Sequence, residues 1–598
     1  MEKQTTQMIE MTEMIDDLLL QVTKPGRYVG NEIHMVKKDP AKTAIRFAFC
    51  FPDVYEVGMS HLGLQILYFF LNRRDDVYCE RAFMPWTDMA ALMREKNRPL
   101  SALETGHAIK DFSFIGFTLQ HEMSFTNVLA MLDLAGLPLH ASDRGDDMPI
   151  VCAGGPCACN PEPMTDFIDF FYIGDGEAAL DDVMDIYRDS FVPGKPGSKR
   201  DFLAKIAHLP GIYVPAFYEA KYHTDGTLAS FSPTHESAPS TVKKALLSSL
   251  DDAFFPDKML VPLIETAHHR ATLELYRGCK RGCRFCQAGM IQRPLRYRGL
   301  KTLLSQGEAL LDNTGHEEIS LVSLSTSDYP HFIPLLNGLL EMTTKRQINI
   351  SLPSLRVDAT SLEAMEKTQE VRKSSLTFAP EAGTQRMRDV IHKDITEADI
   401  LSGCHAAFES GFDRVKLYFM TGLPTETDED VEAIANLAQM VVDEYYKLPR
   451  EKRRRPVSVS VSCSCFVPKP FTPFQWESQD LAQVFIDKQR LIKSLIQKKQ
   501  VSYRYHDAPT AVVEGVLARG DRRVGKTIEE AYRSGAVFDS WTELFRPEIW
   551  HQAFDKTGIY PDFYAHRERP TDELLPWDFI DMGVSKALLL REREKAYE

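Results

Sequence analysis

At 598 residues the chain is long enough for more than one domain, and an α/β barrel alone would take more than the roughly 150 residues of an average domain. A hydrophobic share of 44% with 26% charged residues excludes global disorder, and 11 cysteines are too sparse for a disulfide scaffold and ordinary for a reducing compartment. The net charge of −15 opposes unaided binding to nucleic acid, and no apolar run reaches the roughly 20 residues of a membrane helix.

Residues 1–22 carry Glu10, Glu13, Asp16 and Asp17 among Met and Leu, which predicts an acidic amphipathic helix and not a signal peptide. A cytoplasmic protein is therefore expected, with a helix and arm over 1–40. Over 41–190, apolar runs at 44–51, 77–83, 112–119, 149–153 and 170–173 alternate with helical patterns at 62–72 and 122–135. That alternation predicts a Rossmann-like, doubly wound parallel sheet. Loops containing Gly58-Met59-Ser60-His61, Gly154-Gly155-Pro156 and Gly174-Asp175-Gly176-Glu177 then fall at its carboxyl edge, where such sheets bind ligands. Residues 191–268 open with linker composition over 192–199 and read as an irregular segment with short strands near 212–218 and 228–232.

Over 269–500 a regular β/α alternation predicts strands at 272–276, 317–325, 347–352, 374–379, 413–420 and 457–466. Helices separate them, notably over 301–312, 396–410, 427–446 and 479–497. Six such units make a partial (β/α)6 barrel with its chemistry on the loops after the strands. The loop after the first strand holds Cys279, Cys283 and Cys286 in the spacing C-x3-C-x2-C. Three close thiols are odd for disulfides and one short of a closed zinc site, and they suit a 4Fe-4S cluster with one iron left open. A zinc knuckle with a distant fourth ligand is the blander reading.

Later strand ends add polar groups. After the second comes a hydroxyl-rich turn with Ser325, Thr326 and Asp328, where Asp328 could instead cap a helix. After the fourth come Glu381 and Arg386, able to meet ribose hydroxyls, an ammonium or a carboxylate, or simply each other. After the fifth comes Gly422, followed by Glu426, Asp428, Glu429 and Asp430, which read as serving the next helix dipole. Residues 501–598 read as a helical extension in which Arg519, Arg522 and Arg523 suit an anionic group or surface salt bridges equally. Cys152, Cys157 and Cys159, like Cys463 and Cys465, read as buried thiols. The basic run 450–455 reads as a solvated loop; an RNA contact there lacks support from the net charge.

With Arg277-Gly278 before the triplet and Phe285 before its last cysteine, the chain resembles the radical S-adenosylmethionine (SAM) superfamily. Segments 53–63, 153–157, 517–523 and 576–578 extend the resemblance to a bacterial family with an N-terminal cobalamin-binding-like domain. The resemblance implies that Cys279, Cys283 and Cys286 hold the cluster, and that Phe285, Ser325, Thr326, Glu381, Arg386 and Gly422 meet SAM. It further implies a flavodoxin or ferredoxin-type reductant and a 5′-deoxyadenosyl radical. That radical would attack an unactivated carbon of a small-molecule or macromolecular substrate, leading to methylation or another modification. Cobalamin is a further expected cofactor, although the D-x-H-x-x-G signature of many cobalamin proteins is absent. A non-catalytic iron–sulfur redox sensor and a zinc-binding RNA-associated scaffold are the rival functions.

Overall fold

The computed structural model describes residues 17–352, 376–453 and 455–598. Most of the acidic helix expected over 1–22 lies outside them, as do the start of the strand expected over 374–379 and Arg454 of the basic run.

The first sheet contains β1 (Ile45–Phe51), β2 (Val77–Phe83), β3 (Phe114–Thr118), β4 (Ile150–Gly154), β5 (Phe170–Tyr172) and β6 (Ile212–Tyr213). Its order is β2-β1-β3-β4-β5-β6, parallel throughout except for β6. Helices on both faces explain why β1 is almost continuously apolar and why β2 is buried throughout, its paired Glu80 and Arg81 included. Strand order reverses between β1 and β3, so a ligand crevice is expected outside their carboxyl ends. The segment 191–268 is more ordered than its composition suggests. Helix Ser198–Ile206 buries Phe202 against Phe114 of β3 and Tyr187, and β6 closes the sheet edge. A hairpin of β7 (Tyr218–Tyr222) and β8 (Leu228–Pro233) follows, then the short β9 (Val242–Lys243).

The second α/β unit starts with β10 (Ala271–Glu274), then β11 (Tyr276–Arg277) and β12 (Arg296–Tyr297), which pair with each other. β13 (Glu318–Val322) and β14 (Asn349–Ser351) complete a three-stranded parallel sheet with β10. β15 (Leu376–Glu381), β16 (Arg414–Thr421), β17 (Ser458–Cys465) and β18 (Val501–Tyr505) form a four-stranded parallel sheet. The strand β18 extends the six expected units to seven. Its run VSYRY presents only Val501 and Tyr503 to the apolar layer, too weak a pattern to stand out in the sequence. In β16 and β17 the alternation is clear: Val415, Leu417, Phe419, Val459 and Val461 are buried with residues of helices Glu397–Glu409 and Asp428–Lys447. The other face of each strand looks away from those helices.

The C-terminal segment packs back on the first sheet, and β19 (Ile580–Asp581) pairs with β9. Asn160 Nδ2 donates to Ala518 O and Gly520 O (both 2.9 Å), and Arg522 Nε meets Glu162 Oε2 at 2.9 Å. Arg519 is fully buried and donates to Ala565 O at 2.9 Å, while Arg523 pairs with Asp521. These three arginines, candidates for an anionic substrate by sequence, are engaged in holding the extension in place. Among the described residues no helix is long and apolar enough to cross a membrane.

Where the extension meets the first domain, buried Asp539 accepts from Thr126 Oγ1 (2.6 Å) and Trp550 Nε1 (3.1 Å). Burial outweighs these neutral donors and pushes its pKa up to about 6. A folded-state pKa above the unfolded value contributes stability that is full at low pH and lost as pH rises through about 6. An asparagine can accept from Trp550 and donate to the Thr126 hydroxyl without ever ionising. Asp539→Asn should therefore gain on the wild type by about 3 kcal/mol between roughly pH 4 and pH 7, read from unfolding curves across that range. A wild-type-to-variant difference that stays flat with pH would refute a shifted Asp539.

Candidate active site at the cysteine loop

Just past β11 the chain passes through Gly278 at φ +93°, where a Cβ would lie 2.9 Å from Pro294 O and 3.0 Å from Gln292 O. Only glycine fits that turn, and it delivers Cys279 directly after it. Arg281 N donates to Cys279 Sγ, and Gly289 N to Cys286 Sγ, each at 3.4 Å; the second bond caps helix Gln287–Ile291. Burial, with Cys283 and Cys279 nearby, pushes the Cys286 thiol up to about 11. Such thiols ionise when a metal takes them. Away from the cysteine loop, His121, Glu122 and Glu514 bring three potential ligand atoms within 4.8 Å of one another. At the acidic group, Lys469 Nζ already lies 2.8 Å from both Glu122 Oε2 and Glu514 Oε1, filling the place of a cation.

Two charge clamps hold the loop. Arg277 meets Asp175 (3.0 Å), Glu177 (2.7 Å) and Glu274 (2.8 Å), Arg298 meets Glu274 (3.0 Å), and Arg296 pairs with Asp175. Against the opposing effect of burial, these arginines hold the carboxyls of Asp175 and Glu274 below their usual range. The Gly174–Glu177 loop, expected to face a ligand, thus reaches from the first sheet onto the strand before the cysteines. Asp328 forms the second clamp, accepting from Arg281 Nε (2.8 Å) and Nη2 (2.6 Å), with Lys280 Nζ at 3.2 Å. Burial pushes its pKa up, but these hydrogen bonds prevail and hold it at about 2. Ser325 and Thr326 are buried in the same turn, and Tyr276 Oη donates to Ser325 O.

Glu381 closes β15 at φ +68°, a left-handed conformation that costs a non-glycine residue of order 1 kcal/mol or more and collects at functional sites. Burial raises its pKa, and Lys393 Nζ stands 3.1 Å away. The same loop reaches the cysteines: His392 Nδ1 lies 3.2 Å from Gly282 O, and Arg284 N donates to Ile391 O at 3.0 Å. Phe285 packs against the small apolar cluster that holds Ala382 and Leu423. Gly422, at φ +82°, donates its N–H to Glu426 Oε2 at 2.7 Å. Glu426 is paired with Lys488 (2.8 Å) and does not serve the helix N-terminus as its position suggests; Thr427 and Asp430 form that capping box. Arg386 pairs with Asp430 and donates to Thr425 O (2.8 Å), not to Glu381. The structure therefore brings the three cysteines, Ser325, Thr326, Glu381 and Gly422 to the carboxyl ends of the barrel strands, with Arg386 on the outer side.

A cavity of about 480 Å³ lies between this loop and the carboxyl edge of the first sheet. Phe117, Gly155 and Cys159 line it from one side, Tyr276, Arg277 and Ser323 from the other. Gln287, which follows the last cysteine, donates to Cys159 Sγ at 3.2 Å and so ties the cluster helix to that wall. Sequence reasoning missed Glu274, Lys393, Lys469 and Gln287. Glu274 meets Arg277 only three positions on, but the other partners stand 12 to 347 positions away, and only the spacing of polar residues after a strand could have hinted at Lys393.

A parallel β/α unit whose first strand runs into three thiols spaced for a cluster defines an iron–sulfur enzyme of the partial-barrel type. Residues 63–215 match the family described as radical SAM proteins, N-terminal, and residues 273–438 match the radical SAM superfamily. The chain belongs to the radical SAM superfamily and is a radical SAM enzyme, which implies a 4Fe-4S cluster and SAM as cofactors. It is 29% identical over 484 residues to an uncharacterized protein of Methanocaldococcus jannaschii, covering 81% of this chain and 90% of the relative. A 98-residue stretch, 16% of this chain and 21% of the relative, is 31% identical to the ribosomal protein uS12 methylthiotransferase RimO of Pelotomaculum thermopropionicum. Among solved structures, it is similar to the methyltransferase TsrM from Kitasatospora setae with cobalamin and a 4Fe-4S cluster bound (TM-score 0.46, 11% identity, 73% of this chain and 74% of that one). It is also similar to the cobalamin-dependent radical enzyme OxsB with aqua-cobalamin and SAM bound (TM-score 0.46, 11% identity, 98% and 84%).

Replacing Arg277 by Met would leave three buried carboxylates without their shared cation. Arg277→Met should cost about 3–5 kcal/mol in urea unfolding and lower the iron bound per chain, with Arg277→Lys intermediate because an ammonium lacks the fork. A Met variant as stable and as iron-rich as wild type would show that the clamp is dispensable.

Proposed function

We propose that the enzyme cleaves SAM reductively at a cluster held by Cys279, Cys283 and Cys286 and, with cobalamin in the crevice of the first sheet, methylates an unactivated carbon. The observation that carries this reading is the cavity between the β1/β3 switch point and the cluster strand. Its size lies in the range of about 300–1,000 Å³ typical of ligand sites. It is more than a surface cleft: Phe47, Phe49 and Phe170 of the sheet and Ile66, Leu67 and Leu180 of the covering helices line its depth. An apolar slot entering the layer between sheet and helices, with a polar mouth, fits a large ring bearing an extended tail.

No histidine in the crevice is disposed to ligate cobalt. His61 Nδ1 accepts from Leu64 N at 3.2 Å, so the neutral ring carries its proton on Nε2, and burial holds its pKa below the ordinary value. When bound, the cluster supplies the electron that splits the sulfonium and cobalamin supplies a methyl carrier. The chain's own residues bind and orient. Arg277 and its carboxylates fix the cysteine loop against the crevice, Glu381 and Lys393 offer a carboxylate and an ammonium to SAM, and the Gly422 turn offers backbone. Phe285 with Ala382 and Leu423 keeps water from that edge. A flavodoxin or ferredoxin-type reductant would deliver the electron. The sensor reading leaves the strained, buried Glu381 without a purpose.

The test is anaerobic reconstitution with iron and sulfide, then reduction with SAM, with and without hydroxocobalamin. We expect 5′-deoxyadenosine, absent in Cys283→Ala, and a cobalamin-dependent rise in S-adenosylhomocysteine. A loaded, reducible cluster that never cleaves SAM would favour the sensor. One cobalamin should bind per chain, and the cobalt(II) electron paramagnetic resonance spectrum should be the same in His61→Ala. Loss of a nitrogen coupling in that variant would show that His61 is a ligand after all.

A further inference from the structure

The inner faces of the two barrel sheets are polar, whereas β/α barrels ordinarily fill this space with branched apolar side chains. Ladder register stacks Thr377, Lys416, Ser460 and Ser502 in one row and Tyr418, Ser462 and Arg504 in the row above. All lie on the face turned away from the buried helix-side residues Val415, Leu417, Val459 and Val461. Lys416, Ser502 and Arg504 are exposed, and Tyr418 retains 41% of its surface. Ser460 Oγ and Ser502 Oγ lie 3.0 Å apart, so the serine hydroxyls point along one surface.

Charge separates the two sheets. Acids on the inner face of the first are taken: Glu318 by Arg270 (3.0 Å) and Asn349 (3.1 Å), and Glu274 by Arg277 and Arg298. Glu381 is taken by Lys393. Among the described residues Lys416 and Arg504 have no acidic partner. The free charge that the described residues place on these faces is therefore positive, in a protein whose net charge is −15. The Tyr418–Arg504 row lies one residue below Phe419, the register partner of Glu381, and the Lys416 row two residues further down. At about 3.3 Å per residue these rows lie roughly 3 and 10 Å beneath the edge assigned to SAM.

We propose that the barrel lumen is the substrate site and takes an anionic, hydroxyl-bearing small molecule, its anion between Lys416 and Arg504 and its reacting carbon pointing to the Glu381 edge. The role as substrate site rests on the radical SAM reading; the anion binding does not. A guanidinium, an ammonium and three serine hydroxyls suit the oxygens of a phosphate best, and a carboxylate shares the same chemistry.

The iron-reconstituted full-length protein, without SAM or reductant, is titrated by calorimetry with inorganic pyrophosphate and, separately, with citrate. One pyrophosphate should bind per chain, weakened about tenfold or more in Lys416→Gln and in Arg504→Gln, as expected for loss of one charged hydrogen bond. Both side chains are exposed, so neither change should unfold the chain, and Lys301→Gln on an outer helix controls for nonspecific attraction. Citrate binding with the same variant dependence, and none by pyrophosphate, would support the site and assign it to carboxylates. Binding equal in wild type and lumen variants, or by neither anion, would overturn the proposal. Because no SAM is present, that failure is distinct from an absence of 5′-deoxyadenosine, which would instead sink the radical reading.

Discussion

The buried ion network around Arg277 is the constraint on which the rest of the molecule turns. Three carboxylates from two α/β units share three arginines, so neither unit can withdraw without stranding largely buried charge. Desolvating such groups is expensive, and apolar residues of equal volume would often serve stability as well. What the network adds is direction. Arg277 is bound in a fork-like geometry from three sides, which fixes the strand that leads into Gly278 and Cys279. A cluster that passes single electrons to a cofactor beside it tolerates little play, and a hydrophobic contact would allow more.

That placement also creates the cavity. The first sheet ends its parallel strands toward the barrel, and the barrel answers with the strand that carries the cysteines. The crevice at the switch point is thereby roofed by catalytic machinery and not by solvent. The C-terminal extension completes the arrangement by pinning the first domain through its Asn160 and Glu162 and through Thr126, which bonds to Asp539. The connected pieces explain how a chain with two α/β units behaves as one enclosed site.

Much of this was legible in the sequence, for physical reasons that can be named. Strands buried on both faces must be runs of apolar residues, and so β1, β3 and β4 stood out within two or three residues of their limits. The cysteine spacing is local chemistry, readable without a fold. Side-chain pairings at long range were not readable. The choice of Lys393 and not Arg386 for Glu381, of Lys488 for Glu426, and of Arg277 for Glu177 depends on how loops from distant strands meet. Half-polar strands such as β18 escaped because a sheet face that lines a lumen loses the apolar alternation by which strands are recognised. The feature that hid this strand is the one that makes it interesting.

β17 shows the same principle at finer grain. Its sequence alternates so that Ser458, Ser460, Ser462 and Ser464 share one face, while Val459, Val461, Cys463 and Cys465 share the other and are buried. An S–H bond is weaker than an ordinary C–H bond and gives up hydrogen readily to a carbon radical; an O–H bond is stronger and does not. A one-residue slip of register would turn both thiols into the lumen at about the level of the SAM edge, and the valines with them. Pairing of β17 with both β16 and β18 over most of its length opposes that slip. The strand can thus offer hydrogen-bonding groups to a ligand without offering the weak S–H hydrogens of Cys463 and Cys465 to a radical.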